Sequence, residues 1–172
     1  MTESTIGTAV YTGAFDPITL GHLNVIERSS RFVQRLVVGV GINTGKKQLF
    51  SPGERVELVR QATPHLPNVE VRAFSGLAVE FVRACGSRLM VRGVRPLTDI
   101  AFEFTMHMGN RELDPEIETI FLMADEQYTH VSSTLIKEIT PLSSDEKLAR
   151  FVPKVIIPSL RAKLAATAGG CE

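Results

Sequence analysis

The chain has no excess of charge of either sign: its 172 residues hold 19 Lys+Arg and 19 Asp+Glu. A nucleic-acid binder needs a basic footprint, so the balance argues against one, and any cationic site must be local. Cysteine is scarce. Cys85 falls in a helix-like segment and Cys171 in a Gly-Gly-Cys tail. Two such residues do not make a disulfide framework and point to a reducing cytoplasm. No apolar run approaches the ~18 residues of a membrane span. The stretch from Met1 to Thr5 has no basic segment of the export-signal kind. The three-glycine dinucleotide fingerprint is missing, as is the Gly-x-Ser-x-Gly nucleophile elbow. His65, His107 and His130 stand at no metal-ligand spacing with either cysteine, which argues against a zinc site.

What is present is an ordinary soluble composition, 44% hydrophobic and 22% charged, in a length that favours one domain over residues 1–172. Apolar runs alternate with helical patterns, the signature of a parallel sheet wrapped by helices. The expected strands are Thr8–Tyr11, Arg35–Gly41, Val69–Phe74, Ser87–Val91 and Thr119–Ala124. The expected helices are Gly21–Phe32, Pro52–Ala62, Leu77–Cys85, Ile100–Leu113, Ser132–Ile139, Asp145–Phe151 and Pro158–Ala166. The second opens on a capping box, Ser51 with Glu54, and a first-turn proline. The third stops at Gly86, a C-cap signal. This predicts a Rossmann-like, doubly wound, five-stranded parallel sheet with C-terminal helices and mobile ends at 1–5 and 168–172. Such folds bind ligands beyond the carboxyl ends of the strands. The unusual residues of this chain cluster in the five loops at that edge.

The most informative loop is Gly13-Ala14-Phe15-Asp16-Pro17-Ile18-Thr19-Leu20-Gly21-His22. A glycine turn after a strand, leading into a helix, aims backbone N–H groups and the positive end of the helix dipole at an anion. Taken alone, His22 reads as a solvated or capping histidine. Beside a phosphate turn it becomes a hydrogen-bond donor for charge that grows on a phosphoryl group, with the Thr19 hydroxyl on the same side. Asn43-Thr44-Gly45-Lys46-Lys47 is a polar loop with two mobile cations. Arg92-Gly93-Val94-Arg95 follows a strand and offers two guanidinium forks, with Gly93 letting a ligand reach the backbone. Asp99 and Glu103 follow at helical spacing, as a surface pair, to order the arginines, or to meet a ribose or hydrated cation. Ser132-Ser133 is by itself a simple N-cap, but next to the first turn it is a second helix start for a triphosphate.

Together, Gly13 to His22, Lys46, Arg92-Gly93-Val94-Arg95 and Ser132-Ser133-Thr134-Leu135-Ile136-Lys137 resemble the bacterial phosphopantetheine adenylyltransferases, T/H-x-G-H nucleotidyltransferases. The resemblance runs from about Thr8 to Leu164. It implies transfer of an adenylyl group from ATP to 4′-phosphopantetheine, giving 3′-dephospho-coenzyme A and pyrophosphate, with no covalent intermediate. It makes His22 and Lys46 catalytic. It assigns Ala14, Lys46, Ala78 and Arg92 to the acceptor. To ATP it assigns Ala14, Phe15, His22, Gly93, Val94, Arg95, Glu103, Tyr128, Thr129, His130, Val131, Ser132, Ser133 and Thr134. It further implies Mg²⁺ carried by ATP, no protein metal site, a cytoplasmic homohexamer, and neither nucleic acid nor membrane as partner. Ala14 departs from the Thr or Ser common there, which removes a hydroxyl contact worth roughly 1.5–3 kcal/mol to a charged group. Thr12 replaces a proline, Ala101 an acidic residue, and Gly109 a larger helical residue. The alternatives are a relative acting on nicotinamide mononucleotide or on a phospho-alcohol with CTP, and a non-catalytic nucleotide sensor.

Overall fold

The computed structural model describes residues 6–42, 47–95 and 99–168. Lys46 and the expected mobile ends, apart from Ala168, lie outside the described residues. Five strands, β1 (Ile6–Gly13), β2 (Val33–Gly41), β3 (Val69–Phe74), β4 (Leu89–Val94) and β5 (Glu118–Met123), form one sheet in the order β3-β2-β1-β4-β5. Every pairing is parallel. The helices are α1 (Leu20–Ser30), α2 (Pro52–Ala62), α3 (Ala78–Ala84), α4 (Ile100–Leu113), α5 (Ser133–Ile139), α6 (Asp145–Leu148) and α7 (Ile157–Ala168).

β1 and β2 lie at the centre, and a strand covered on both faces is apolar without interruption. Leu36, Val37, Val38 and Val40 are accordingly all fully buried. Alternate residues of β1 face two cores. Ala9 and Tyr11 pack with α1, α2 and the C-terminal helices; Val10 packs with α3 and Met90. At Gly39 the approach is forced by the protein itself. A Cβ there would stand 2.5 Å from the Phe81 ring, which stacks on Phe74 at 4.4 Å.

The Ser51 and Glu54 capping box forms as expected, and Gly86 closes α3 with φ of 70°. β4 differs. The expected strand Ser87–Val91 slides to Leu89–Val94 because Ser87 is a buried turn residue. Its hydroxyl donates to the Thr8 carbonyl and accepts from the Leu89 N–H. Arg92, Gly93 and Val94 therefore belong to the sheet, in register with Phe121, Leu122 and Met123. α6 ends at Leu148, short of Phe151, whose carbonyl accepts from the Leu20 N–H instead. α7 extends to Ala168, the first residue of the expected mobile tail.

The chain reverses direction across the sheet between β1 and β4. Strand order turns there from β3-β2-β1 to β4-β5. That switch point opens the crevice in which doubly wound folds take ligands.

Candidate active site

At the crevice a cavity of about 340 Å³ is walled by the end of β1 (Tyr11 to Ala14), Gly21, His22 and Val25 of α1, Arg92 to Arg95, Asp99, Glu103, Tyr128 and Val131 to Thr134. A second, wider groove of about 650 Å³ runs over Gly41, Ile42, Phe74, Leu77, Ala78, Met106 and Leu113. The two share Thr12, Gly13, Ala14, Arg92 and Phe102. One space is ringed by polar and charged groups, the other is largely apolar, and they meet at the glycine turn.

His22 is held by its own helix start. Thr19 caps α1: its hydroxyl accepts from the His22 N–H, and its N–H donates to His22 Nδ1 at 3.1 Å. A capping box normally uses Glu or Gln in this return bond; here imidazole does the work. Because Nδ1 accepts, the neutral ring carries its proton on Nε2. Burial lowers the His22 pKa to about 4, assisted by the Arg95 and Arg92 charges. The ring is thus a neutral donor at physiological pH. The Thr19 hydroxyl, expected beside the ligand, is instead buried and spent on positioning this ring.

The arginines are held by acids. Arg92 forms a two-pronged pair with Glu103, at 2.7 and 2.6 Å, and also donates to the Thr12 carbonyl. Arg95 forms the same fork with Asp99 and donates to the Val131 carbonyl. Gly93 makes room for protein as well as ligand: a Cβ would lie 3.0 Å from the Tyr11 hydroxyl and 3.1 Å from Val25. At Gly21 the nearest protein atom to a Cβ would be 3.6 Å away, ordinary contact. The missing side chain there leaves space in the cavity, not in the core.

Most of the expected site residues converge. Ala14, His22, Arg92, Gly93, Val94, Arg95, Glu103, Tyr128, Val131, Ser132, Ser133 and Thr134 line the first cavity, and Ala78 the second. Three do not line either. Phe15 is buried, at φ of 50°, with its ring edge-on to Tyr11 and against His22 at 5.1 Å. It supports the histidine from behind. Thr129 turns its hydroxyl to the Glu126 carbonyl, and His130 packs on Phe151. Ser132 caps α5 by accepting from the Leu135 N–H, and the Ser133 hydroxyl donates to the Pro17 carbonyl, which ties α5 to the first turn.

Two further residues join these pieces. Asp16 accepts from the Leu49 and Phe50 N–H groups and pairs with Lys137 at 3.1 Å. Both stand inside motifs visible in the sequence, although nothing there says that they touch. Arg55 is the other kind. It is fully buried and donates to the Ala14 and Gly41 carbonyls and to Gln48. In the charged pattern of α2 it reads as a solvent-facing arginine, so no sequence signal marks it.

The cytidylyltransferase-like family model matches residues 10–139, which spans both cavities. A phosphopantetheine adenylyltransferase of Rhodopirellula baltica is 65% identical over 159 residues, covering 92% of this chain and 89% of the relative. Enzymes of the same name from Lacticaseibacillus casei (46% over 157 residues; 91% and 93% covered) and Clostridium botulinum (44% over 149 residues; 87% and 92% covered) are also similar. Among solved structures, a Vibrio parahaemolyticus protein described as a nicotinate-nucleotide adenylyltransferase superposes with a TM-score of 0.64 at 18% identity, covering 91% of this chain and 99% of the other. A Plasmodium falciparum nicotinic acid mononucleotide adenylyltransferase gives 0.56 at 11% identity, covering 89% and 93%. These two share the fold. With a family model across most of its length and relatives of this identity, the chain belongs to the cytidylyltransferase-like family and, within it, to the phosphopantetheine adenylyltransferases.

Proposed function

We propose that this protein transfers the adenylyl group of ATP to 4′-phosphopantetheine, releasing pyrophosphate and 3′-dephospho-coenzyme A, in coenzyme A synthesis. The observation that carries this reading is the meeting of two spaces of opposite character at Thr12 to Ala14 and Arg92. ATP fits the polar cavity and the flexible pantetheine arm fits the apolar groove, so both phosphates converge on one turn. An acceptor phosphate oxygen attacks the α-phosphorus, the bond to the bridging oxygen breaks, and pyrophosphate leaves. Positioning and charge stabilisation supply the catalysis.

His22 Nε2–H donates to the α-phosphate oxygen where negative charge grows. Arg95, Ser132 and Ser133 face the nucleotide's outer phosphates, and Glu103 and Tyr128 complete that wall. Arg92 sits where the spaces join and holds the acceptor phosphate, with Ala14 at the turn and Ala78 along the arm. Lys46 bridges the two phosphates in this scheme. Mg²⁺ enters as part of MgATP. That cation would neutralise charge on the triphosphate; the wall carboxylates, Asp99 and Glu103, are both engaged by arginines. A cytoplasmic setting belongs to this reading; no helix among the described residues is long and apolar enough to cross a membrane.

The whole chain acts as one nucleotidyltransferase domain, and its working form is a homohexamer. Support for assembly comes from α4, where Glu103 alone is buried while Phe102, Phe104, Met106 and Met108 are exposed. Phe121 and Met123 of the edge strand β5 extend that apolar face. Patches of this kind on a soluble protein mark an interface.

The direct test is pyrophosphate release from MgATP with 4′-phosphopantetheine, against nicotinamide mononucleotide and against CTP with a phospho-alcohol. Turnover with phosphopantetheine alone is expected. Turnover of another acceptor in its place overturns the reading, and ATP binding without pyrophosphate release makes the protein a sensor.

A further inference from the structure

Arg55 is a permanent cation with no solvent-exposed surface, placed where a hydrophobic residue would ordinarily complete a helix face. Burial disfavours its charge, and isolated buried charge costs several kcal/mol after relaxation. Arg92 and Arg95 each meet a carboxylate in a fork; Arg55 pairs with no carboxylate among the described residues. The acid whose charge favours the Arg55 cation is Asp16. Both oxygens of Asp16 are already taken, by two backbone N–H groups and by Lys137. The hydrogen-bond partners of Arg55 are Ala14 (2.6 Å), Gly41 (2.9 Å) and Gln48 (2.8 Å). All three residues line the second groove, whereas Arg55 does not. Its guanidinium therefore lies one layer behind the groove wall, gripping the ends of β1 and β2.

We propose that Arg55 is a positioning residue for the acceptor phosphate: it pins the Ala14 and Gly41 carbonyls away from the ligand and leaves its unpaired charge behind the turn as a fixed counter-field. Two consequences follow from the geometry. A carbonyl bound to Arg55 cannot swing toward an incoming phosphate oxygen, so the N–H side of the turn stays presented. And charge held in a dry layer acts over a longer reach than surface charge, because water does not screen it. This inference rests on the acceptor being phosphopantetheine, which the pyrophosphate assay of the wild-type protein checks separately.

The test compares 4′-phosphopantetheine with pantetheine, its phosphate-free counterpart, as ligands of the intact chain by calorimetry, alongside steady-state kinetics. In Arg55→Gln the preference for the phosphorylated ligand falls about 10-fold or more, KM for phosphopantetheine rises by a similar factor, and kcat changes less. Arg55→Lys, which keeps a charge, restores most of the preference. Gln48→Glu keeps Arg55 folded in place and neutralises it by contact, so it also loses preference, and it serves where Arg55→Gln does not fold. Equal weakening of both ligands in Arg55→Gln, or unchanged preference in Gln48→Glu, makes Arg55 a purely structural residue and overturns the proposal. Wild-type protein that does not turn over phosphopantetheine overturns the functional reading instead.

Discussion

The two sides of the crevice are built on different terms. On the β1–β2 side His22 is fixed by bonds local to one helix start: Thr19 in front and the Phe15 ring behind. The middle of each strand beneath it, Ala9 to Thr12 and Leu36 to Val40, is buried. On the β4–β5 side, Arg92 depends on Glu103, which comes from a helix whose other thirteen residues are not buried by this chain. The chemical group is thus preset by its own segment, whereas the binding wall borrows order from α4, most of which is exposed.

The largest effect falls on the preset side: His22→Ala cuts kcat by about 100-fold or more and leaves ATP affinity within a few-fold. Equal losses in single-turnover rate and in calorimetric affinity would make His22 an anchor and erase the distinction. On the other side, Arg92→Ala raises KM for phosphopantetheine by about 30-fold with a smaller change in kcat, the size of one or two lost hydrogen bonds to a charged group. Gly21→Ala raises KM for ATP by about 10-fold while the unfolding midpoint stays put, because a Cβ there stands on the cavity wall and meets protein only at ordinary contact distance. A drop in midpoint without a KM change would place the added methyl in the core. Phe104→Glu with Met108→Glu dissociates the assembly in sedimentation and lowers activity about fivefold through a loosened α4. A monomer with full activity would show that the outer wall stands alone.

The smallest effect is on pH dependence. His22 is neutral when folded, with a pKa near 4, against 6.5 when exposed. The unfolded chain therefore binds the extra proton first. The stabilisation this represents is whole above pH 6.5 and is lost as pH falls toward about 4. His22→Gln, which keeps the return bond of the cap, flattens the thermal midpoint over that window. An unchanged slope would mean that His22 is not held neutral.

Legibility in the sequence followed the range of the forces involved. α2 and α4 took their expected bounds, since capping chemistry and apolar period are local. β4 did not, because Ser87 is turned by a bond to Thr8, 79 positions away. The motif expects Thr129 and His130 at the nucleotide; after the 3₁₀ turn at Glu126–Tyr128 the Thr129 hydroxyl bonds the Glu126 carbonyl and His130 packs on Phe151, contacts that the motif does not reveal.

The alternation of strands and helices, the glycine turn leading into a histidine at a helix start, and the family were all readable from the chain alone, because each resides in neighbouring residues. Long-range packing set the rest: Asp16 meets Lys137, and Arg55 is buried behind the turn. Those outcomes depend on which segments burial brings into contact, and a buried charge in a helix has the same letters around it as a solvated one.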